Sequence, residues 1–142
     1  MRYVLDCSVA VKWFVPEALS DVAHRLLERV EAGEVELLAP DSIVAELGYI
    51  LRKAVLNKEM SAERCEAIIQ DYTEVPVTPK ALAPLAVEAM RLTARHMANF
   101  YDALYIALAI RENLKVLTAD RPMTLAFAKL GRTVHLADLR LP

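Results

Sequence analysis

Short apolar runs alternate along this chain with longer segments of helical period, and that alternation restricts the fold more than any other feature. Tyr3-Val4-Leu5 is an apolar run that stops at Asp6, as a buried strand does. Ser8 to Phe14 and Pro16 to Ala32 read as helices, the second closed by Gly33 as a C-cap. Glu36 to Ala39 is a short strand before Pro40. Asp41 or Ser42 then caps a helix to about Leu56, with Ile43, Leu47, Ile50, Leu51 and Ala54 on one apolar stripe. Ser61 caps a further helix to about Tyr72. Val75-Pro76-Val77 predicts a weak strand, and Thr78-Pro79 predicts an N-cap with Pro at the first position of a helix over 80–96. Another helix is expected from about Tyr101 to Asn113 and a strand over Lys115 to Thr118. Pro122 to Leu130 then reads as a helix closed by Gly131, and Thr133 to Leu136 as a last strand. Such an order predicts an α/β fold: a mostly parallel central sheet of four to five strands, covered on both faces by about seven helices.

The 142 residues suit a single domain over 1–142, and with three glycines and no repeat or low-complexity stretch there is no linker to divide it. A 56% hydrophobic content and a net charge of -2 exclude a largely disordered chain. The longest stretch free of Asp, Glu, Lys and Arg, Ala103 to Ile110, is far short of a membrane span, and no apolar signal segment follows Met1. Cys7 and Cys65 are too few for a disulfide scaffold. A soluble cytoplasmic protein without a membrane partner is the expectation. The slight acidic balance, 19 Asp and Glu against 17 Lys and Arg, argues against an electrostatic binder of duplex DNA. A nuclease that meets phosphate through bound metal remains open.

In parallel sheets ligands bind outside the carboxyl ends of the strands. Two aspartates stand there: Asp6, directly after the first strand, and Asp120, one residue beyond Val116-Leu117-Thr118. Each has a structural reading as a helix cap. Two further acids lie inside helices. Glu46 sits one turn from Ile43 and Ile50, and Asp102 shares a stripe with Ile106 and Ala109. Capping of a helix starting near Ala103 would account for Asp102, and an ion pair with Arg52 or Lys53 for Glu46. That pair suits helical spacing poorly, because i+6 and i+7 lie beyond the i+3 and i+4 neighbours. Acids on apolar faces are almost never buried without a partner or a metal. If the four converge, their repulsion calls for protonation or a cation, and a hard all-oxygen site favours Mg²⁺ or Mn²⁺ over Zn²⁺.

Four segments in order, Tyr-Val-Leu-Asp6-Cys-Ser8-Val, Val44-Ala45-Glu46-Leu47, Tyr101-Asp102-Ala-Leu-Tyr-Ile-Ala-Leu-Ala and Val-Leu-Thr118-Ala-Asp120, resemble the motifs of PIN-domain nucleases. Over Met1 to about Leu136 the chain looks most like the VapC-type toxins of toxin–antitoxin pairs. The resemblance implies a PIN-like three-layer fold in which the helix pair from Asp41 to Tyr72 forms a clip-like projection. It implies a single-stranded RNA endonuclease using Mg²⁺ or Mn²⁺, with Asp6, Glu46, Asp102 and Asp120 as catalytic, metal-binding carboxylates and with Ser8 and Thr118 supporting them through hydrogen bonds. It implies a homodimer, inhibited by a small cognate antitoxin through which alone it would meet DNA. Pro122 departs from the pattern, many relatives being more polar at that point.

Other readings concern fewer residues. Cys7 beside Asp6 invites a nucleophile role, but none of His24, His96 or His135 is placed to serve it, and a small buried Cys is the plainer account. Trp13 and Phe14 suit the core or an exposed partner patch. Lys12, Arg52, Lys53 and Arg95 are candidate phosphate contacts or ordinary solvated cations. No phosphate-cradling glycine motif occurs. A phosphotransferase with Asp6 as nucleophile lacks the second Asp two residues on, where Ser8 stands. A non-catalytic binding module would gain nothing from four clustered acids.

Overall fold

The computed structural model describes residues 1–141. Five strands, β1 (Arg2–Leu5), β2 (Glu36–Pro40), β3 (Val77–Lys80), β4 (Val116–Thr118) and β5 (Thr133–His135), form one sheet in the order β3-β2-β1-β4-β5, every pair parallel. Seven helices among the described residues connect them: α1 (Cys7–Ala10), α2 (Ser20–Glu31), α3 (Ser42–Leu56), α4 (Ala62–Glu74), α5 (Ala86–His96), α6 (Phe100–Glu112) and α7 (Arg121–Ala126). The expected α/β architecture is the observed one. No helix among the described residues is long and apolar enough to cross a membrane.

The strand order reverses direction at β1, with β2 on one side and β4 on the other. Such a switch point opens a crevice at the carboxyl ends of the two central strands. Val4↔Val116 and Leu5↔Leu117 are in register, so Asp6 and the loop after Thr118 emerge side by side at that crevice.

Helix α6 is the main wall of the core. Every residue from Ala103 to Ala109 is buried, as expected of a helix apolar on all sides, and α6 packs on α5 and on β1, β2 and β4. The large side chains of the central strands, among them Leu5, Leu37, Leu38 and Leu117, are closed off in the same core. Trp13 belongs to this core: its indole donates to the Ala23 carbonyl at 2.9 Å, and it meets Phe14 edge-on. Cys7 is buried too, and burial pushes its thiol far above the ordinary range, with Glu46 and Asp6 adding to the shift. A thiol so protonated is inert as a nucleophile.

Several boundaries differ from expectation. Thr78 and Pro79 do not start a helix but lie within β3, which begins two residues later than the strand expected at Val75. As the edge strand, β3 tolerates a proline, which has no N–H to give to a further neighbour. Helix α5 accordingly starts at Ala86, after a 3₁₀ turn over Ala83–Leu85. Helix α2 starts at Ser20 rather than Pro16, because Leu19 is left-handed (φ 67°) and no helix runs through it. The segment from Ser8 to Phe14 divides into the short α1 and a 3₁₀ turn, Val11–Trp13, and the one from Pro122 to Leu130 divides likewise into α7 and Ala128–Leu130. Gly33 and Gly131 have positive φ, 74° and 59°, and end their segments as expected. Pro122 lies in the first turn of α7, where its missing N–H costs nothing.

Candidate active site

Asp6 is 4% exposed, and its Oδ2 accepts hydrogen bonds from Ser8 Oγ at 2.5 Å and from Thr118 Oγ1 at 2.7 Å. The same hydroxyls receive the next loop: Ala119 N–H donates to Ser8 Oγ at 2.8 Å, and Asp120 N–H to Thr118 Oγ1 at 3.0 Å. Each hydroxyl thus donates to Asp6 and accepts from the β4–α7 loop, fastening the ends of the two central strands together. Asp120 in turn accepts from Met123 N–H at 3.3 Å, so it caps α7 while standing at the crevice. The cap reading of Asp120 is the observed one, and it leaves the carboxylate at the crevice.

Glu46 and Asp102 approach from the helices. Glu46 Oε1 accepts from the buried Tyr105 hydroxyl at 2.8 Å, and among the described residues it makes no ion pair with Arg52 or Lys53, as the helical spacing indicated. Asp102 is not a cap. Asn99 caps α6, accepting from Asp102 N–H at 2.7 Å, and this sets Asp102 in the first turn with its side chain half-buried.

Neighbouring acids act on three of these carboxyl groups. Burial pushes Asp6 upward, opposed by the hydroxyls of Ser8 and Thr118 and aided by the charge of Asp120. Burial lifts Glu46 to about 7, against the Tyr105 hydrogen bond and with help from Asp6 and Asp102. Asp102 is also lifted to about 7, first by burial and then by Asp6 and Asp120. The structure therefore brings all four acids to one end of the sheet, within electrostatic reach.

Such a set of mutually repelling oxygens has the chemistry that suits a hard divalent cation such as Mg²⁺ or Mn²⁺. The four do not meet at a point: among the described residues no three His, Cys, Asp or Glu side chains stand close enough to hold one ion as they are. The fit is one of charge and donor type, and joint ligation requires side chains to shift.

Two clefts adjoin the acids. One, of about 650 Å³, is lined by Ser8 and Asp120, by the cations Lys12, Lys53 and Arg121, and by the acids Glu17 and Glu59. Of the cations singled out from sequence, Lys12 and Lys53 line it and Arg52 and Arg95 do not; Arg121 lines it as well, and its place directly after Asp120 is the signal that could have found it. Lys12 is ion-paired with Glu17 at 3.0 Å. The other cleft, of about 390 Å³, holds Glu46 and Asp102 together with Tyr49, Asn99 and Tyr101. Tyr49 gave a usable signal, since it follows Glu46 by one helical turn. Tyr105 had none, its contact with Glu46 joining two helices far apart in sequence.

Comparison with known proteins agrees with this fold. The chain is 27% identical over 130 residues to "Ribonuclease VapC3" of Pyrobaculum aerophilum, an alignment that covers 92% of this chain and 98% of that protein. It is 35% identical over 88 residues to "Ribonuclease VapC1" of Mycobacterium tuberculosis, covering 62% of this chain and 65% of the relative. The crystal structure of VapBC2 from Rickettsia felis, bound to a DNA fragment from its promoter, superposes with a TM-score of 0.68 at 17% identity, over 95% of this chain and 97% of that one. Residues 3–128, from the first strand through the loop that carries Asp120 and on past α7, match the PIN domain as a family, and the chain belongs to it.

Proposed function

We propose that the protein is a divalent-metal-dependent endoribonuclease that hydrolyses single-stranded RNA, acting in the cytoplasm as the toxin of a toxin–antitoxin pair. The observation that carries this reading is the group of four carboxyls, Asp6, Glu46, Asp102 and Asp120, at the switch point between β1 and β4. Asp6, Glu46 and Asp102, raised by burial and by repulsion from neighbouring acids, are poised to take up a cation, and phosphodiester hydrolysis is chemistry such a site suits. The ribonuclease relatives from Pyrobaculum aerophilum and Mycobacterium tuberculosis support the choice of RNA.

Mg²⁺ or Mn²⁺, when bound, supplies an activated water and neutralises charge on the phosphoryl oxygens. The protein's own residues do the rest. Asp6, Glu46, Asp102 and Asp120 are the groups that would hold the ion. Ser8 and Thr118 orient Asp6 by its Oδ2, and Tyr105 orients Glu46. Lys53 and Arg121, in the cleft that Asp120 and Glu59 also line, offer contacts to flanking phosphates, and Lys12 does so in competition with its partner Glu17. A small antitoxin as partner and a homodimer complete the proposal; the antitoxin is supported by the likeness to VapBC2, whose structure is bound to promoter DNA.

Purified protein freed of antitoxin is expected to cleave single-stranded RNA in Mg²⁺ or Mn²⁺. Asp6→Asn and Asp102→Asn should each lower cleavage by about 10²-fold or more, since even outer partners of metal ligands cost 10–100-fold. A wild-type sample that cuts no RNA with any divalent ion overturns the reading. A trappable acyl-phosphate on Asp6 would reassign the site to phosphoryl transfer.

A further inference from the structure

The cleft between α3 and the start of α6 has a composition that the carboxylates do not explain. Tyr49 is 71% exposed and Tyr101 53% exposed, and both line the same cleft of about 390 Å³ as Glu46 and Asp102. Two large aromatic rings left in water beside an acidic centre offer flat apolar area at small conformational cost, because a tyrosine has only two side-chain torsions to fix. Asn99 lines the cleft as well. Its Oδ1 is committed to Asp102 N–H at 2.7 Å, which fixes the amide and leaves its NH₂ as the group free to donate.

Charge decides what such a cleft accepts. Among the described residues the lining of this cleft has no cation to receive a backbone phosphate, whereas the cleft beside Asp120 has Lys53 and Arg121, together with Glu59 and a Lys12 already paired with Glu17. A single strand laid across the site therefore divides by chemistry, backbone toward the cations and an uncharged ring toward the tyrosines. We infer that the Tyr49–Tyr101 cleft is a nucleobase subsite, in which the base of a nucleotide flanking the scissile phosphate stacks on the tyrosine rings and offers an acceptor on its edge to the Asn99 amide. This rests on the ribonuclease reading and deepens it, making the enzyme sensitive to the identity of one base beside the cut.

The test is an abasic scan. An RNA oligomer that the wild-type protein cleaves is remade with a single abasic residue at each position around the cut, and kcat and KM are measured for each. Base stacking on an aromatic side chain corresponds to about 5- to 150-fold in affinity. Wild-type protein should lose that factor, mainly in KM, at one flanking position only. Tyr49→Ala and Tyr101→Ala should lose a similar factor on intact RNA and no longer respond to the abasic residue, while Tyr101→Phe retains the response. Both rings are exposed, so melting temperatures should stay near that of the wild type, and Asn99→Ala should change the preference among the four bases at that position. If the wild type cleaves and its scan is flat, or if the alanine variants keep the full abasic response, the subsite is overturned while the ribonuclease reading stands. If the variants lose self-association by light scattering with the abasic response intact, the tyrosines belong to a protein interface and the subsite is likewise overturned. A wild type that cleaves no RNA removes the ribonuclease reading itself.

Discussion

Tyr105 is the clearest case of one side chain governing another. It is fully buried on α6, and its hydroxyl makes the hydrogen bond that holds Glu46 down against burial and against the charges of Asp6 and Asp102. Tyr105→Phe fills the same space but removes the donor, so Glu46 should titrate above about 7 in the metal-free variant. A ¹³C-detected carboxyl titration reads this directly. Hydrogen bonds to charged groups are worth about 1.5–3 kcal/mol, so an upward shift on the order of one unit or more is expected. An unchanged Glu46 titration would show that the hydroxyl does not set this acid's proton affinity. The tyrosine itself is held far above its ordinary range, mainly by burial, so it remains a donor throughout.

At the scale of elements, legibility followed the strength of the apolar pattern. The central strand β4 is buried throughout and β1 along its carboxyl-terminal half, and their unbroken apolar runs announced them, with Asp6 and Asp120 at their ends. Helix α6 announced itself the same way, and a carboxylate within so apolar a helix marked Asp102. The edge strand β3 was misplaced because it is half-exposed and carries Pro79, and edge strands alone admit such a pattern. What joins the acids was not legible, because the Ser8–Asp6–Thr118 bridge and the Tyr105–Glu46 bond arise only once the sheet order brings distant segments together. The dominance of α6 makes a prediction of its own. Leu108, 1% exposed, is closed off in the core, so Leu108→Ala should cost about 2–5 kcal/mol in urea unfolding. Leu125→Ala, at a site 75% exposed, should stay within about 0.5 kcal/mol. Equal effects at the two sites would mean that α6 is not the core wall its burial indicates.

The whole molecule carries a net charge of -2, yet four of its acids are gathered at one end of the sheet, and this couples stability to protons and cations. Glu46 and Asp102 titrate near 7 in the folded protein, against ordinary values of 4.5 and 3.8. A raised carboxyl binds its proton more tightly folded than unfolded. Its contribution to stability is therefore fully present below the ordinary value and is lost as pH rises through about 7. Metal-free protein should accordingly melt at progressively lower temperature between about pH 5 and pH 8, the opposite of what carboxylates held by ion pairs produce. Asp102→Asn removes one titrating charge and should flatten that slope while raising the melting temperature at the alkaline end. A divalent cation competes with the protons for the same oxygens, so Mg²⁺ should raise the melting temperature more at about pH 8 than at pH 5. Calorimetry across that range, with and without Mg²⁺, separates the possibilities. A melting temperature that climbs as the pH rises would mean the acids are not crowded, and an equal Mg²⁺ effect at both ends would mean the ion binds elsewhere.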